Sequence, residues 1–310
     1  MASPDYEAYE CKTLDGTTIR GWLFLVDRRP APTVIMTPGI NVVKEILLPQ
    51  VAKGFQSQGF NVFIYDTRSV GGSDGSPRNL LDPLQYSEDL SDIITHISTL
   101  PSVDSKRIIL WGISLGALVS GCTAVVDSRV KAVIMASPVF NYYRDDKRKD
   151  AFARLIKDRE AQLLHGCEPE MMPMFDSKGE NIIGMLDSGG PGGLESYRFN
   201  KLIVEKAGPT ARNHVAIQSY HNIAMFWPKQ IIANLETPVM MIIPGLDQMY
   251  PPELQKQMFD KIKSPMKKVL WLKDRGHLNL MGGKGKDQLL REQVGFINDV
   301  LGVQTTVSKL

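Results

Sequence analysis

Cysteine, histidine and long apolar runs are all scarce in this chain of 310 residues. The three cysteines, Cys11, Cys122 and Cys167, lie far apart and are odd in number, so they provide neither a disulfide framework nor metal-ligand spacing. No apolar run approaches the ~20 residues that a membrane-spanning helix needs. We therefore expect no metal site and no membrane span, and the cysteine pattern suits a reducing compartment.

Charge of one sign is also lacking, because 36 lysines and arginines are balanced by 34 aspartates and glutamates. The net formal charge is +2, with no basic block and no acidic tail. This balance argues against a nucleic-acid partner and against a membrane-surface partner. The first residues contain no basic stretch followed by an apolar one, so no secretory signal is expected.

The sequence does contain a regular alternation of short apolar runs with helical patterns. Most of the runs are apolar on both faces, which is typical of parallel strands covered by helices. Two alternating segments around Asp15-Gly16 add a hairpin before them. The alternation predicts an α/β fold with a doubly wound, mostly parallel eight-stranded sheet. The predicted strands are 9–12, 18–24, 33–36, 62–65, 107–111, 130–135, 239–243 and 269–272, and the predicted helices are 44–58, 87–100, 115–126, 253–262 and 288–301.

The interval of residues 139–235 breaks this alternation. It is charged at first, then rich in methionine, then rich in glycine, and it is far too long for a loop in a compact domain. We predict a mostly helical cap inserted after the sixth strand, on a core domain formed by residues 1–138 and 236–310. Aromatic residues of this cap either line an acyl pocket or pack the cap's own core; the candidates are Tyr220, Phe226 and Trp227.

One motif carries the chemistry, the G-x-S-x-G sequence Gly112-Ile113-Ser114-Leu115-Gly116. It lies directly after a predicted strand and directly before a predicted helix, as a nucleophile elbow must. The turn is tight, so larger side chains two residues to either side of the serine would clash. The turn also lifts the hydroxyl to the helix N-terminus, where free N–H groups stabilise a developing oxyanion. We predict Ser114 as the nucleophile.

A serine hydroxyl is a weak nucleophile and needs a base. In folds with this elbow the triad order is serine, acid, histidine, with the histidine after the last strand of the sheet. Only His277 meets that condition, so we predict it as the base. The other histidines precede the nucleophile or lie in the predicted cap; they are His96, His165, His214 and His221.

The acid should orient the imidazole from the end of a neighbouring strand. Asp247 follows the predicted strand 239–243, and we predict it as the acid. Some folds of this kind place the acid one strand earlier, but here that strand ends in Ser137-Pro138-Val139-Phe140, without a carboxylate. Asp274 lies so close to His277 in sequence that we expect it to point elsewhere.

Two backbone N–H groups should hold the oxyanion, one from the residue after the nucleophile and one from the loop after strand 33–36. We assign Leu115 and Ile40, with Gly39 and Asn41 as alternatives to Ile40. A second glycine-rich loop, residues 66–75, lacks the lysine of a P-loop and the dinucleotide-binding pattern, so we interpret it as structural and expect no cofactor.

Several motifs occur in a fixed order along the chain, namely Pro38-Gly39, Asp66-x-Arg68, Gly112-x-Ser114-x-Gly116, Asp247 and Gly276-His277. In this order and spacing they resemble the α/β-hydrolase superfamily over almost the whole chain. The resemblance implies the α/β-hydrolase fold and a Ser-Asp-His triad. Pro38 departs from a common superfamily pattern, in which many members carry histidine before the oxyanion-loop glycine.

Three further segments are Lys44-Glu45, Gln218-Ser219-Tyr220 and the final Ser308-Lys309-Leu310. With them the sequence resembles a narrower group, the fungal polyketide transferase-like hydrolases of secondary-metabolite and host-selective-toxin pathways. This resemblance implies a small-molecule partner, a polyketide or fatty acyl ester or thioester.

The same final tripeptide, Ser308-Lys309-Leu310, is the signal that the peroxisomal import receptor recognises. We therefore expect that receptor as a partner and the peroxisome as the location, with the cytoplasm as the alternative.

The expected chemistry is acyl transfer through an acyl-serine intermediate. Water, an alcohol or a carbon nucleophile of the substrate itself could complete it, giving hydrolysis, transfer or cyclisation. Amide or C–C bond cleavage uses the same triad, and a non-catalytic ligand-binding scaffold is the rival from another class. The sequence also leaves open whether the chain is a monomer or a homodimer.

Overall fold

A computed structural model of the protein describes residues 5–183 and 188–303. The strands are β1 (Glu7–Lys12), β2 (Thr18–Phe24), β3 (Ala31–Thr37), β4 (Asn61–Tyr65), β5 (Val103–Ile113), β6 (Val130–Ala136), β7 (Met171–Pro173), β8 (His214–Ala216), β9 (Val239–Pro244) and β10 (Lys267–Leu272). The helices are α1 (Leu48–Ser57), α2 (Pro83–Ser98), α3 (Leu115–Val126), α4 (Asp145–His165), α5 (Pro191–Ala207), α6 (Ser219–Met225), α7 (Pro228–Ile232), α8 (Pro252–Lys261) and α9 (Lys286–Leu301), with a 3-10 turn at Gly208–Thr210.

Eight of these strands form one sheet in the order β1-β2-β4-β3-β5-β6-β9-β10. Strand β2 pairs antiparallel with β1 and β4, and all the other neighbours in the sheet pair in parallel. Every residue of β4 and β9 is buried, as expected for parallel strands covered by helices on both faces. The prediction of a doubly wound, mostly parallel eight-stranded sheet is therefore confirmed.

Successive residues of the central strands pack into two different cores. On β3, Ile35 faces the core that contains α2 and α3, whereas Val34 and Met36 face the core that contains α1 and α9. Trp111 of β5 lies in the second core, where its indole N–H donates to Gln293 Oε1 of α9 at 2.8 Å. This alternation fixes the sheet between two helical layers and leaves the carboxyl ends of its parallel strands free to carry a site.

Most helices begin close to the predicted positions, and α3 coincides with residues 115–126. Helix α2 differs, because it begins at Pro83 rather than near residue 87. The side chain of Asp82 accepts hydrogen bonds from the backbone N–H groups of Leu84 and Gln85, and Pro83 occupies the first position. An N-cap and a proline therefore start this helix one turn early.

Helix α1 begins at Leu48 rather than at residue 44, because the preceding segment is tied to the loop of residues 66–75. The backbone N–H of Lys44 donates to Asp66 Oδ1 and its ammonium group donates to Asp66 Oδ2, both at 2.7 Å. The backbone N–H of Gly72 donates to the same Oδ2 atom at 2.7 Å. This glycine-rich loop thus anchors the loop after β3, in which the predicted oxyanion donor lies.

Residues 139–235, the predicted cap, contain helices α4 to α7 and a small antiparallel sheet of β7 and β8. The two strands have three residues each, too few for an alternating pattern to reveal them in the sequence. The side chain of Asn41, after β3, joins this segment to the sheet by donating to the carbonyl of Arg212 at 2.8 Å. The division into core and cap stays a prediction.

The tripeptide Ser308-Lys309-Leu310 lies outside the described residues. Within residues 5–183 and 188–303, no helix is long and apolar enough to cross a membrane. All three cysteines are free thiols.

The packing of α3 against the loop after β3 gives a first prediction. Gly116→Ala should lower the free energy of unfolding by about 1–3 kcal/mol or more, because its Cβ would lie 2.3 Å from the backbone oxygens of Thr37 and Pro38. Gly295→Ala in α9 is the matched control, since no atom lies within 4 Å of its Cβ. That variant should gain about 0.5–1 kcal/mol from helix propensity. Urea unfolding of both proteins measures the difference, and equal stability would contradict the packing argument.

Candidate active site

Ser114 occupies a strained turn between β5 and α3. Its backbone has φ 58° and ψ −118°, and it immediately precedes the first residue of the helix. Its backbone N–H donates to the carbonyl of Ala136 at the end of β6 at 2.9 Å. A Cβ at Gly112 would lie 2.1 Å from the carbonyl oxygen of Gly116, so the chain can fold back only with glycine there. A positive φ at a non-glycine residue costs of order 1–3 kcal/mol and persists only where the surroundings impose it.

His277 and Asp247 form a buried pair at the ends of β10 and β9. The Nδ1 atom of His277 lies 3.0 Å from Asp247 Oδ2, and both side chains are less than one-tenth exposed. Among the described residues, the hydrogen bonds of this imidazole are made through Nδ1. The other ring nitrogen, Nε2, is thus available as a base for Ser114, because both residues line one pocket.

Asp247 is held by five hydrogen-bond donors. Its Oδ1 accepts from the backbone N–H groups of Met249 at 2.8 Å and Tyr250 at 3.0 Å. Its Oδ2 accepts from Gln255 Nε2 at 2.9 Å, as well as from two further side chains, Ser137 and His277. Burial raises the pKa of Asp247, but His277 and the hydrogen bonds outweigh burial and hold that pKa below its usual value.

Ser137 is a member of this network that the sequence did not predict. Its hydroxyl donates to Asp247 Oδ2 at 2.9 Å and lies 2.7 Å from His277 Nδ1. The ionised carboxylate can only accept, and the hydroxyl gives its one proton to it, so Nδ1 of His277 carries the other proton. A neutral imidazole then has an unprotonated Nε2, which is the form that a general base requires. Ser137 has φ 49°, so the tip of β6 is strained as well.

The two residues predicted as oxyanion donors, Leu115 and Ile40, both lie close to Ser114. Their assignment as donors stays a prediction. Leu115 is the first residue of α3, so its N–H has no partner within the helix. Ile40 lines the pocket of Ser114, in the loop after β3. A Cβ at Gly39 would lie 3.6 Å from the Cβ of Ser114, which shows how closely this loop approaches the nucleophile.

The pocket that contains Ser114 and His277 encloses about 740 Å³ of empty space, part of it open to solvent. Its wall is mostly apolar, with the side chains of Ser196 and Asn200 as polar points. The loop after β3 forms one side, and the predicted cap contributes Met174, Phe175, Ser196, Phe199 and Asn200. Two segments of the predicted cap, one before and one within α5, therefore cover Ser114.

Of the two alternatives for the aromatic candidates, lining this pocket or packing elsewhere in residues 139–235, the structure favours the second. Tyr220 is fully buried within the cap, and its hydroxyl accepts a hydrogen bond from Asn181 at 3.0 Å. Phe226 and Trp227 line a separate hollow beside the loop after β6, and Trp227 is 57% exposed. The sequence pattern could not show which end of the cap meets Ser114, and α5 rather than α6 makes that contact.

The remaining histidines do not join the site. His165, His214 and His221 are exposed, and His96 is half-buried on α2. The Nε2 atom of His96 bonds to the backbone carbonyl of Lys12 at 2.8 Å.

This fold agrees with the comparison to known proteins. The model of the serine aminopeptidase S33 family, Hydrolase_4, matches residues 28–281. The chain belongs to this family of α/β-hydrolases, and it is an enzyme of the serine hydrolase class.

Two curated relatives and one solved structure resemble nearly the whole chain. A polyketide transferase from Aspergillus fumigatus is 34% identical over 293 residues, which cover 94% of this chain and 97% of the relative. A thiohydrolase from Eupenicillium brefeldianum is 35% identical over 297 residues and 94% of each chain. The structure of DcsB in complex with its substrate analogue is 51% identical with a TM-score of 0.92, and the match covers 96% of this chain and 99% of DcsB. The predicted α/β-hydrolase fold and the predicted likeness to fungal polyketide transferases are both confirmed.

The pKa of Asp247 gives a second prediction, on stability rather than activity. Asp247→Asn should lower the free energy of unfolding by about 1.5–3 kcal/mol at pH 7, because an amide nitrogen cannot accept the bonds that Oδ2 accepts. Folding lowers this pKa below its ordinary value of 3.8, so the ionised carboxylate stabilises the fold above that pH. As the pH falls through the lower folded-state pKa, that contribution is lost.

The difference between wild type and Asp247→Asn should therefore shrink as the pH falls below about 4. Urea unfolding at a series of pH values measures it. A difference that stays constant or grows on acidification would contradict the lowered pKa.

Proposed function

We propose that this protein is an acyl-transferring serine hydrolase that acts on a polyketide or fatty acyl thioester or ester through an acyl-Ser114 intermediate. One observation carries the proposal. Ser114 lies on a strained nucleophile turn and shares an apolar pocket with His277, whose Nδ1 is bound to the buried carboxylate of Asp247.

The first half of the reaction acylates the serine. His277 Nε2 takes the proton of the Ser114 hydroxyl as Oγ attacks the acyl carbonyl carbon. The negative charge that forms on the carbonyl oxygen is held by the backbone N–H groups of Leu115 and Ile40. The bond to the leaving thiol or alcohol then breaks, and His277 returns the proton to that group. Asp247 keeps the imidazole in one tautomer and stabilises its positive charge.

The second half releases the acyl group. An acceptor gives a proton to His277 as it attacks the ester carbon, and Ser114 Oγ leaves with that proton. Water as the acceptor gives hydrolysis, and an alcohol or a carbon nucleophile gives transfer or cyclisation. The relatives support both outcomes, since one is named a thiohydrolase and another a polyketide transferase.

The pocket supports an acyl chain that is largely apolar but carries some oxygen atoms. Met174, Phe175 and Phe199 offer apolar surface for the methylene and alkene carbons of such a chain. Asn200 offers hydrogen bonds to an oxygen substituent, whereas the hydroxyl of Ser196 already donates to the carbonyl of Gly192 at 2.8 Å and can only accept a further bond. Among the described residues that line the pocket, His277 in its protonated form is the only one that could carry a charge.

The third prediction tests the nucleophile. Wild-type protein should be labelled once per chain by a fluorophosphonate probe and should cleave acyl thioesters, with the products identified by mass spectrometry. Ser114→Ala should lose labelling and lose turnover on the order of 10⁵–10⁶-fold, because no acyl-enzyme can form. Ser120→Ala is the control, since this buried serine of α3 bonds to Thr37 instead.

Labelling that survives Ser114→Ala would refute the assignment of the nucleophile. Acyl thioesters, esters and amides that all remain intact in the presence of wild-type protein would instead favour a non-catalytic ligand-binding scaffold. Products that contain an added alcohol, rather than the free acid, would identify a transferase.

We also propose that Ser308-Lys309-Leu310 directs the chain to peroxisomes by binding the import receptor. The fourth prediction follows from it. A fluorescent protein fused to the N-terminus, which leaves this tripeptide free, should give a punctate signal that coincides with a peroxisomal marker. Removal of residues 308–310 should make the signal diffuse, and a punctate signal without them would refute the proposal.

A further inference from the structure

Tyr142 is a buried tyrosine whose hydroxyl has no hydrogen-bond partner among the described residues. It follows β6 in the loop that contains Ser137, and its side chain is 4% exposed. Tyr86 of α2 is also 4% exposed, but its hydroxyl donates to the carbonyl of Arg68 at 3.2 Å. A buried hydroxyl without a partner is unfavourable, and most buried polar groups in folded proteins avoid this state. Tyr142 is therefore an exception that fold stability does not explain.

The loop that contains Tyr142 begins beside Ser114, because the backbone N–H of Ser114 donates to the carbonyl of Ala136 at the end of β6 at 2.9 Å. Burial raises the pKa of Tyr142 well above 10, and the interaction of its hydroxyl with the Ser114 side chain is the opposing influence. Tyr142 is thus protonated at any working pH, so it can serve as a hydrogen-bond donor. The proton of Ser114 is directed to His277, which leaves a lone pair of Ser114 Oγ as the acceptor.

We propose that Tyr142 is a catalytic residue whose hydroxyl donates a hydrogen bond to Ser114 Oγ during acyl transfer. This inference rests on the proposed function. The bond leaves the serine proton pointing at His277, and it stabilises negative charge on Oγ while the bond to the acyl carbon forms or breaks. Tyr142 keeps its own proton throughout, so its donation changes no charge balance in either half of the reaction.

This donor is distinct from the oxyanion donors. In the sheet, β5 lies between β3 and β6, so the loop after β3 and the loop after β6 approach Ser114 from opposite sides. Ile40 belongs to the first loop and Tyr142 to the second. The two loops therefore serve two different oxygen atoms, the former carbonyl oxygen and Oγ itself.

The fifth prediction uses Tyr142→Phe, which removes only the hydroxyl oxygen. The rate constant for fluorophosphonate labelling of Ser114 should fall about 10- to 100-fold, as expected for loss of a hydrogen bond to a charged atom. With a thioester substrate kcat should fall by a similar factor while KM changes little, because the bond strengthens only in the transition state. The melting temperature should be unchanged or higher, since an unpartnered hydroxyl has been removed.

Tyr86→Phe is the matched control, because its hydroxyl is equally buried but has a partner. This variant should melt at a lower temperature and keep the wild-type labelling rate. Tyr142→Phe should thus lower the labelling rate without lowering the melting temperature, and Tyr86→Phe should do the reverse. This contrast separates a chemical role of the hydroxyl from a structural one.

Wild-type labelling kinetics in Tyr142→Phe would overturn the inference and leave the proposed function intact. A melting temperature that falls as in Tyr86→Phe, with activity restored when the assay is cooled, would also overturn it. Failure of the wild type to react with the probe would overturn the inference and the proposed function together.

Discussion

Close backbone packing at the nucleophile turn is the constraint on which the site depends. A Cβ at residue 116 would lie 2.3 Å from the carbonyl oxygens of Thr37 and Pro38, so only glycine lets α3 begin against the loop after β3. The same approach places that loop beside Ser114, whose φ is positive. The buried parallel strands on either side of β5 stabilise the arrangement and keep the strained turn from relaxing. Nucleophile and oxyanion loop are thus fixed by one packing contact.

The base depends on a second constraint, which is the hydrogen bonding of a buried carboxylate. An ionised carboxylate taken out of water is very unfavourable unless donors surround it. Asp247 meets that condition with five donors from three parts of the chain, so it remains ionised and cannot rotate. Because this fixed anion can only accept, the Nδ1 atom of His277 must be protonated. The reactive state of the histidine therefore follows from the packing around Asp247.

The sequence predicted those features of the fold and site that depend on local patterns or on the order of motifs along the chain. Strand periodicity predicted the sheet, and the glycine spacing placed Ser114 between a strand and a helix. Ser137 and Tyr142 were missed because their roles arise from tertiary contacts, and neither lies in a pattern that marks an oxygen donor. The pocket prediction named Trp227 and its neighbours, yet α5 covers the site, because composition does not reveal which helix of a long insertion docks on the core. The positions of single glycines and the succession of strands along the chain are local signals. The docking of one helix on the core is not a local signal.

Three unfavourable features of the chain lie near Ser114. Ser114 and Ser137 end adjacent strands with positive φ, and the hydroxyl of Tyr142 is buried without a partner. Each would be relieved by glycine or phenylalanine if stability alone mattered, and each instead keeps an oxygen atom at a fixed position. All three belong to β5, β6 and the loop after β6, whereas the pocket wall also draws on the cap. The groups proposed to form the acyl-serine are thus positioned by the strands of the sheet and the loops that follow them. We expect the choice between water and another acceptor to rest with the residues of the predicted cap that border the pocket.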